Sequence, residues 1–164
     1  MAIGSIRSKL VAFCIRKLLR GTKKKIHGKQ LLAVLNGIVR IYLDNGSRLD
    51  LGPGNIVYVD VEAVVEAPYD DTDMLLLSCR DPLHRRLLLT DYALRCNNML
   101  IYDASPPIVV NSYSMIAPLL APVAIGGNGE PAIIVRPGEL VECRGKCIVK
   151  PLERSSRVLV VVEE

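Results

Sequence analysis

The 164-residue chain has no Trp, one Phe, two His and one Gln. The aromatic poverty leaves few platforms for stacking bases. Two histidines, His27 and His84, cannot build a three-histidine metal site. Long apolar runs are missing too. The longest uncharged stretch, Ala104 to Gly129, is cut by Pro106, Pro107, Pro118 and Pro122. A bilayer-spanning helix needs about 20 mostly apolar residues, so no transmembrane segment is expected. Leu10 to Ile15 is too short for the apolar core of a secretory signal, and a cytoplasmic location is expected. What is abundant is aliphatic: half of the residues are hydrophobic and 23% are charged, ample for a packed core.

Acid is absent from the front of the chain. Met1 to Leu43 carries ten basic residues and no Asp or Glu, which leaves the remainder with 11 basic and 17 acidic residues, a net charge of −6. Ile6, Leu10, Cys14 and Leu18 recur every four residues. That spacing predicts a basic N-terminal α-helix over Ile3 to Arg20, with Gly21 as its stop. Lys9, Arg16, Lys17, Arg20, Lys23, Lys24, Lys25 and Lys29 form the candidate polyanion-binding set. Three readings stay open: the apolar stripe docks on the body, the cations meet phosphates without sequence preference, or the arm lies on anionic lipid.

From Leu31 the period changes to that of strands. Short strands are expected at Leu31–Leu35, Ile38–Leu43, Ser47–Leu51 and Asn55–Val59. Asn36-Gly37, Asp44-Asn45-Gly46 and Gly52-Pro53-Gly54 supply the turns between them. A second helix is expected over 82–96, capped by Asp81 and Pro82. Further strands follow near Met99–Tyr102, Ile108–Val110, Ala132–Val135, Glu139–Cys143, Cys147–Lys150 and Arg157–Val162. Val158 to Val162 is continuously apolar and reads as a strand covered on both faces. Gly126-Gly127-Asn128-Gly129 reads as a turn. Gly52-Pro53-Gly54-Asn55-Ile56-Val57 echoes Arg136-Pro137-Gly138-Glu139-Leu140-Val141, two copies of one Pro-Gly turn feeding a strand. The expected organisation is an arm over 1–25 and a β-rich domain over 26–164, whose halves, 26–80 and 99–164, are joined by the second helix.

Five cysteines is an odd count. Cys143 and Cys147 flank Arg-Gly-Lys within a hairpin pattern. Two small strand residues, a disulfide and a metal site are the alternatives. The near absence of Gln, with abundant Lys, Arg, Val and Leu, leans toward a thermophile, where intracellular disulfides occur. Asp70, Asp71 and Asp73 read as a solvated loop, and His84, near Cys79, as a surface histidine.

Leu31 to Ile41, with Asn36-Gly37, followed by Leu49 to Val59, with Pro53-Gly54, resembles the cupin barrel. The resemblance covers roughly residues 27–78. It implies a mainly β, cupin-like small barrel. In cupins two His and a Glu precede the first of these glycines, a third His follows the second turn, and all four hold a metal. Here Lys24, Lys25 and Ile26 stand where the first two histidines belong, Gln30 where the Glu belongs, and Val65 at the third histidine. No metal and no cofactor are therefore expected. The leading expectation is a non-enzymatic binding protein whose basic arm contacts nucleic acid or another polyanion. The alternatives are a small-molecule-binding barrel, with or without chemistry, and a self-assembling homo-oligomer using Ile108 to Ile125 as its contact surface.

Overall fold

The computed structural model describes residues 13–43, 45–59, 62–78, 93–96, 99–127, 129 and 131–163. Among them every regular element is a strand: β1 (Phe13–Leu18), β2 (Lys23–Ile26), β3 (Gln30–Asn36), β4 (Val39–Tyr42), β5 (Arg48–Leu51), β6 (Ile56–Val59), β7 (Ala63–Glu66), β8 (Thr72–Ser78), β9 (Ala93–Cys96), β10 (Met99–Ala104), β11 (Ile108–Val110), β12 (Ser114–Pro118), β13 (Val123–Gly127), β14 (Ile133–Val135), β15 (Val141–Cys143), β16 (Cys147–Pro151) and β17 (Val158–Glu163). They form four sheets, ordered β1-β8-β3-β6, β2-β7-β4-β5, β9-β10-β17-β12-β15 and β11-β16-β13-β14.

The first two sheets and the last two are the same structure built twice. In each, the eight-strand order is that of a double-sheet jelly roll. Registers repeat as well as order. Leu31 pairs with Leu77 and Met115 with Val161; Ile41 pairs with Val65 and Ile125 with Val149; Gln30 pairs with Val59 and Ser114 with Cys143. From β2 through β8 the registers recur with an offset of 84 residues and differ only in pairs at the strand ends, and Pro53 likewise recurs at Pro137. Only the first strand differs: Phe13 opposes Leu77 while Ile101 opposes Val161, an offset of 88.

Details of the turns recur at the same spacing. The Thr72 hydroxyl donates to the Ile38 carbonyl, and the Ser156 hydroxyl donates to the Pro122 carbonyl. Gly52 N–H donates to the Asn55 side chain, and Arg136 N–H to the Glu139 carboxylate. Gly54 and Gly138 both hold positive φ, at 88° and 92°. The Pro-Gly echo in the sequence is thus one turn at equivalent places in two repeats.

Three cores follow from the alternation of side chains. Leu32, Val39, Ile41, Leu51, Val65, Met74 and Leu76 fill the space between the sheets of repeat 1. Ile116, Val123, Ile125, Val135, Val149, Val158 and Val160 do the same in repeat 2. The opposite faces of the larger sheets meet in a third core. Leu31, Ala33, Leu35, Ile56, Leu75 and Leu77 from repeat 1 pack with Ile101, Met115, Ala117, Leu119, Leu140, Leu159 and Val161 from repeat 2. β3, β12 and β17 are therefore covered on both faces, as the unbroken run Val158–Val162 requires. At the junction a Cβ on Gly138 would lie 2.8 Å from the Asp73 carboxylate, so repeat 2's turn sits directly on β8.

Two helix expectations need correction. Phe13–Leu18 is not helical: it is β1, paired along its length with β8. A spacing of four fits period two as well as period 3.6, and pairing with the apolar Thr72–Ser78 strand decides between them. The rest of that expected helix, 3–12 with Lys9, lies outside the described residues. So does most of the second helix, but Ala93–Cys96, its expected last turn, is β9, hydrogen-bonded to β10. Gly126 and Gly127 close β13 instead of forming a turn. The expected strands are otherwise present within a residue or two, and β2, β7, β8, β12 and β13 add to them. Among the described residues no helix is long and apolar enough to cross a membrane.

Candidate functional site

The duplication supplies an internal control, because each interior position of one repeat has a counterpart in the other. Repeat 1 is aliphatic inside, with Ile26, Val59, Ala63 and Val65 near the end where β2 meets β7. Repeat 2 replaces two of these. Val59 becomes Cys143 and Ala63 becomes Cys147, and their sulfurs are joined in a disulfide that links β15 in one sheet to β16 in the facing sheet. Both cysteines are buried.

Beside Cys143, directly across the ladder, stands Ser114, the counterpart of Gln30. Ser114 shares the inward face of β12 with Ile116, is 1% exposed, and its hydroxyl has no hydrogen-bond partner among the described residues. Burying a hydroxyl unpaired costs about 1–3 kcal/mol, and native proteins rarely leave one so. Tyr102 projects from the same inner face, one inward row from Ser114 and two strands away, with Val160 between it and Ile116. It is half-buried against the repeat 2 core, and burial alone raises its phenol above the ordinary range. The inner face of repeat 2 thus carries two hydroxyls and a disulfide on an otherwise apolar wall.

The described basic residues of the first 43 are divided between two sheets and their connections. Arg16 and Lys17 lie exposed on β1, and Lys23 and Lys25 lie exposed on β2 with Lys24 half-buried between them. Arg20 and Lys29 are exposed in the connections. Several face the protein's own groups. Lys25 pairs with Glu62 at 2.7 Å, Lys23 stands 4.9 Å from the Tyr42 ring centroid, and Arg40 grips Asp50 through Nε at 2.7 Å and Nη2 at 3.0 Å. Strand pairing sets Lys17 opposite Asp73 and Lys23 opposite Glu66. The acid-free front of the chain is therefore matched by acids on β5, β7 and β8. His27 lies near Glu62, and His84 and Cys79 are outside the described residues.

The comparisons with known proteins bear on fold. No protein-family model matches the chain, and no curated protein matches it in sequence. Solved structures do match. Protein Ylba from E. coli aligns with TM-score 0.65 and 12% identity over 99% of this chain and 81% of its own. The cupin 2 conserved barrel domain protein from Leptotrichia buccalis aligns with TM-score 0.59 and 10% identity over 99% and 89%. The fold is cupin-like. Bacillus subtilis oxalate decarboxylase, a protein with Mn(II) centres, aligns with TM-score 0.50 and 9% identity over 96% of this chain and 70% of its own.

A metal of that kind does not fit the residues present. In repeat 1 the positions corresponding to cupin ligands hold Lys24, Lys25, Ile26, Gln30 and Val65. In repeat 2 their counterparts are Ile108, Val109, Val110, Ser114 and Val149. Ile26, Val65, Val110 and Val149 are buried aliphatics with no lone pair to offer. Among the described residues no three His, Cys, Asp or Glu side chains cluster in a way that could hold an ion.

The basic set, Cys143 and Cys147 were visible in the sequence. Ser114 and Tyr102 were not singled out, because nothing local marks a Ser or Tyr inside a proline-broken segment. Aligning the two Pro-Gly turns would have placed Ser114 opposite Gln30, at the cupin Glu position.

Proposed function

We propose that the protein binds a small, largely apolar organic molecule inside repeat 2, without a metal. The observation that carries this reading is the orphaned Ser114 hydroxyl. A buried hydroxyl without a partner among the described residues calls for one, and ordered water or a ligand supplies it. The surrounding wall, Ile116, Val110, Val149 and Val160, suits a compact aliphatic or aromatic body. Ser114 and Tyr102 suit a single carbonyl or hydroxyl on that body. Among the described residues repeat 1 has Gln30 in place of the orphaned hydroxyl and Val59 and Ala63 in place of the disulfide, and its role in this reading is to support repeat 2 through the shared core. The basic strands play no part in it.

The test is a methyl-resolved NMR titration with cyclohexanone and phenol as probes. Expected are shifts at Ile116, Val110 and Val160 with little change at Leu32, Val39 and Ile41. Ser114→Ala should weaken the response, and Gln30→Ala should leave it unchanged. Equal shifts in both repeats, or none in repeat 2, would overturn the reading.

A further inference from the structure

The outward faces of the two smaller sheets diverge in chemistry. In repeat 1 that face is polar and internally satisfied. It carries Lys25, which pairs with Glu62; Arg40, bridged to Asp50 and hydrogen-bonded to the Tyr69 hydroxyl at 3.1 Å; and Tyr42, which donates to Glu66 under the Lys23 ammonium. Among the described residues of its strands Val64 is the one large exposed aliphatic, and the exposed Tyr69 ring is held by Arg40. Eighty-four residues on, Lys25 becomes Val109, Arg40 becomes Ala124, Tyr42 becomes Gly126, Arg48 becomes Ala132, Asp50 becomes Ile134 and Val64 becomes Ile148. Glu66 becomes Lys150, which reverses the charge and keeps one exposed ion on this face.

These replacements are contiguous. Val109 pairs with Ile148, Ile148 with Gly126, and Ala124 with Ile134, so an apolar path crosses β11, β16, β13 and β14, flanked on β16 by the exposed Lys150 opposite Ala124. Val109 is 53% exposed, Ile134 54% and Ile148 38%. Leu120 and Leu152 are exposed where the chain enters β13 and leaves β16, at one end of the same sheet. Four strands about 4.8 Å apart and up to five residues of about 3.3 Å span on the order of 300 Å². That is the size of the apolar centre of an interface. With the loop leucines and a polar rim it approaches the roughly 800 Å² per partner of a stable complex.

We propose that this face is the contact between two copies of the chain, related by a two-fold axis. The occupant follows from chemistry on the page. The chain already stacks two of its own sheets through aliphatic faces, so a sheet of this kind is a good partner for another like it. A head-to-tail contact would place the apolar face on repeat 1's charged one and strip water from the Arg40–Asp50 and Lys25–Glu62 pairs. Only the apolar face meeting itself avoids that cost, and such a contact closes as a dimer instead of running on as a fibre. Of the Ile108 to Ile125 segment expected to mediate assembly, Val110, Met115, Ile116, Ala117, Leu119, Val123 and Ile125 are buried within the chain. Val109 and Leu120 are left for a partner.

The test is sedimentation equilibrium of the full chain at micromolar concentration. The wild type should have twice the 18.0 kDa chain mass. Ile148→Lys should raise the dissociation constant by about a hundredfold or more, with far-UV circular dichroism unchanged. Val64→Lys, the same change at the repeat 1 counterpart, should leave the dimer intact. Ile134→Glu, on a different strand, is the second variant should Ile148→Lys fail to fold. A monomeric wild type, whether the face is bare or covered by residues 1–12, would overturn the proposal. So would a dimer indifferent to both Ile148→Lys and Ile134→Glu.

Discussion

Cutting Leu75 or Leu159 back to Ala should destabilise the whole chain, because the two repeats share one core. The two residues are counterparts 84 positions apart, both fully buried in the layer between the larger sheets. Each substitution removes three carbons. At about 0.8 kcal/mol per buried methylene the transfer loss is about 2.4 kcal/mol. The cavity left in a close-packed layer brings the total to about 3–4 kcal/mol. Urea unfolding, followed by circular dichroism and by methyl resonances of both repeats, reads the effect. Leu75→Ala should lower the midpoint for Ile116 and Val160 in repeat 2 as much as for Leu32 and Ile41 in repeat 1. Leu159→Ala should do the converse, and each variant should show a single transition. If Leu75→Ala melted repeat 1 alone and left the repeat 2 signals at their wild-type midpoint, the shared core would not couple the repeats.

Other perturbations have equally definite outcomes. Replacing Cys143 and Cys147 by their repeat 1 counterparts, Val and Ala, should preserve the fold and cost no more than about 2 kcal/mol, the chain-entropy value for so short a loop, as measured by urea denaturation. Gly37→Ala should destabilise by about 2–3 kcal/mol, since φ is 80° and the new Cβ would sit 2.6 Å from the Thr72 hydroxyl, whereas Gly46→Ala, with nothing nearby, should pay only the backbone strain of about 1 kcal/mol. The Arg40 guanidinium holds the Asp50 carboxyl below its usual range. A depressed folded-state pKa gives stability that is present above the ordinary carboxylate value and fades as pH falls through the lower folded value. Arg40→Ala should move the Asp50 titration, followed by carbon NMR, back up toward the ordinary carboxylate range.

Where the sequence spoke through local chemistry it was readable. Asn36-Gly37, Gly52-Pro53-Gly54 and Pro137-Gly138 marked real turns, and the alternation of Val39, Ile41, Leu49 and Leu51 marked strands with one buried face. It misled where two periods coincide: Cys14 and Leu18 satisfy a helix and a strand alike, and only β8, more than fifty residues away, selects the strand. The basic front looked like an arm because its acids lie far off in sequence, at Asp50, Glu62, Glu66 and Asp73, and only the antiparallel pairing brings them near. Ser114 could not be recognised, since its meaning depends on burial and on the absence of a partner. The 84-residue repeat was in plain view but diffuse, carried by residue character at many positions and by identity at few, such as Ala33 with Ala117 and Val65 with Val149.

The central claim is that repeat 2, unlike its twin, keeps an unmet polar demand inside an apolar shell. A high-resolution crystal structure of the full chain tests this most directly. Density from a non-protein group within hydrogen-bonding distance of Ser114 Oγ, and no counterpart among Leu32, Val39 and Ile41, is the expected result. A Ser114 hydroxyl turned onto a carbonyl of its own chain, in a repeat 2 interior packed as tightly as that of repeat 1, would contradict it.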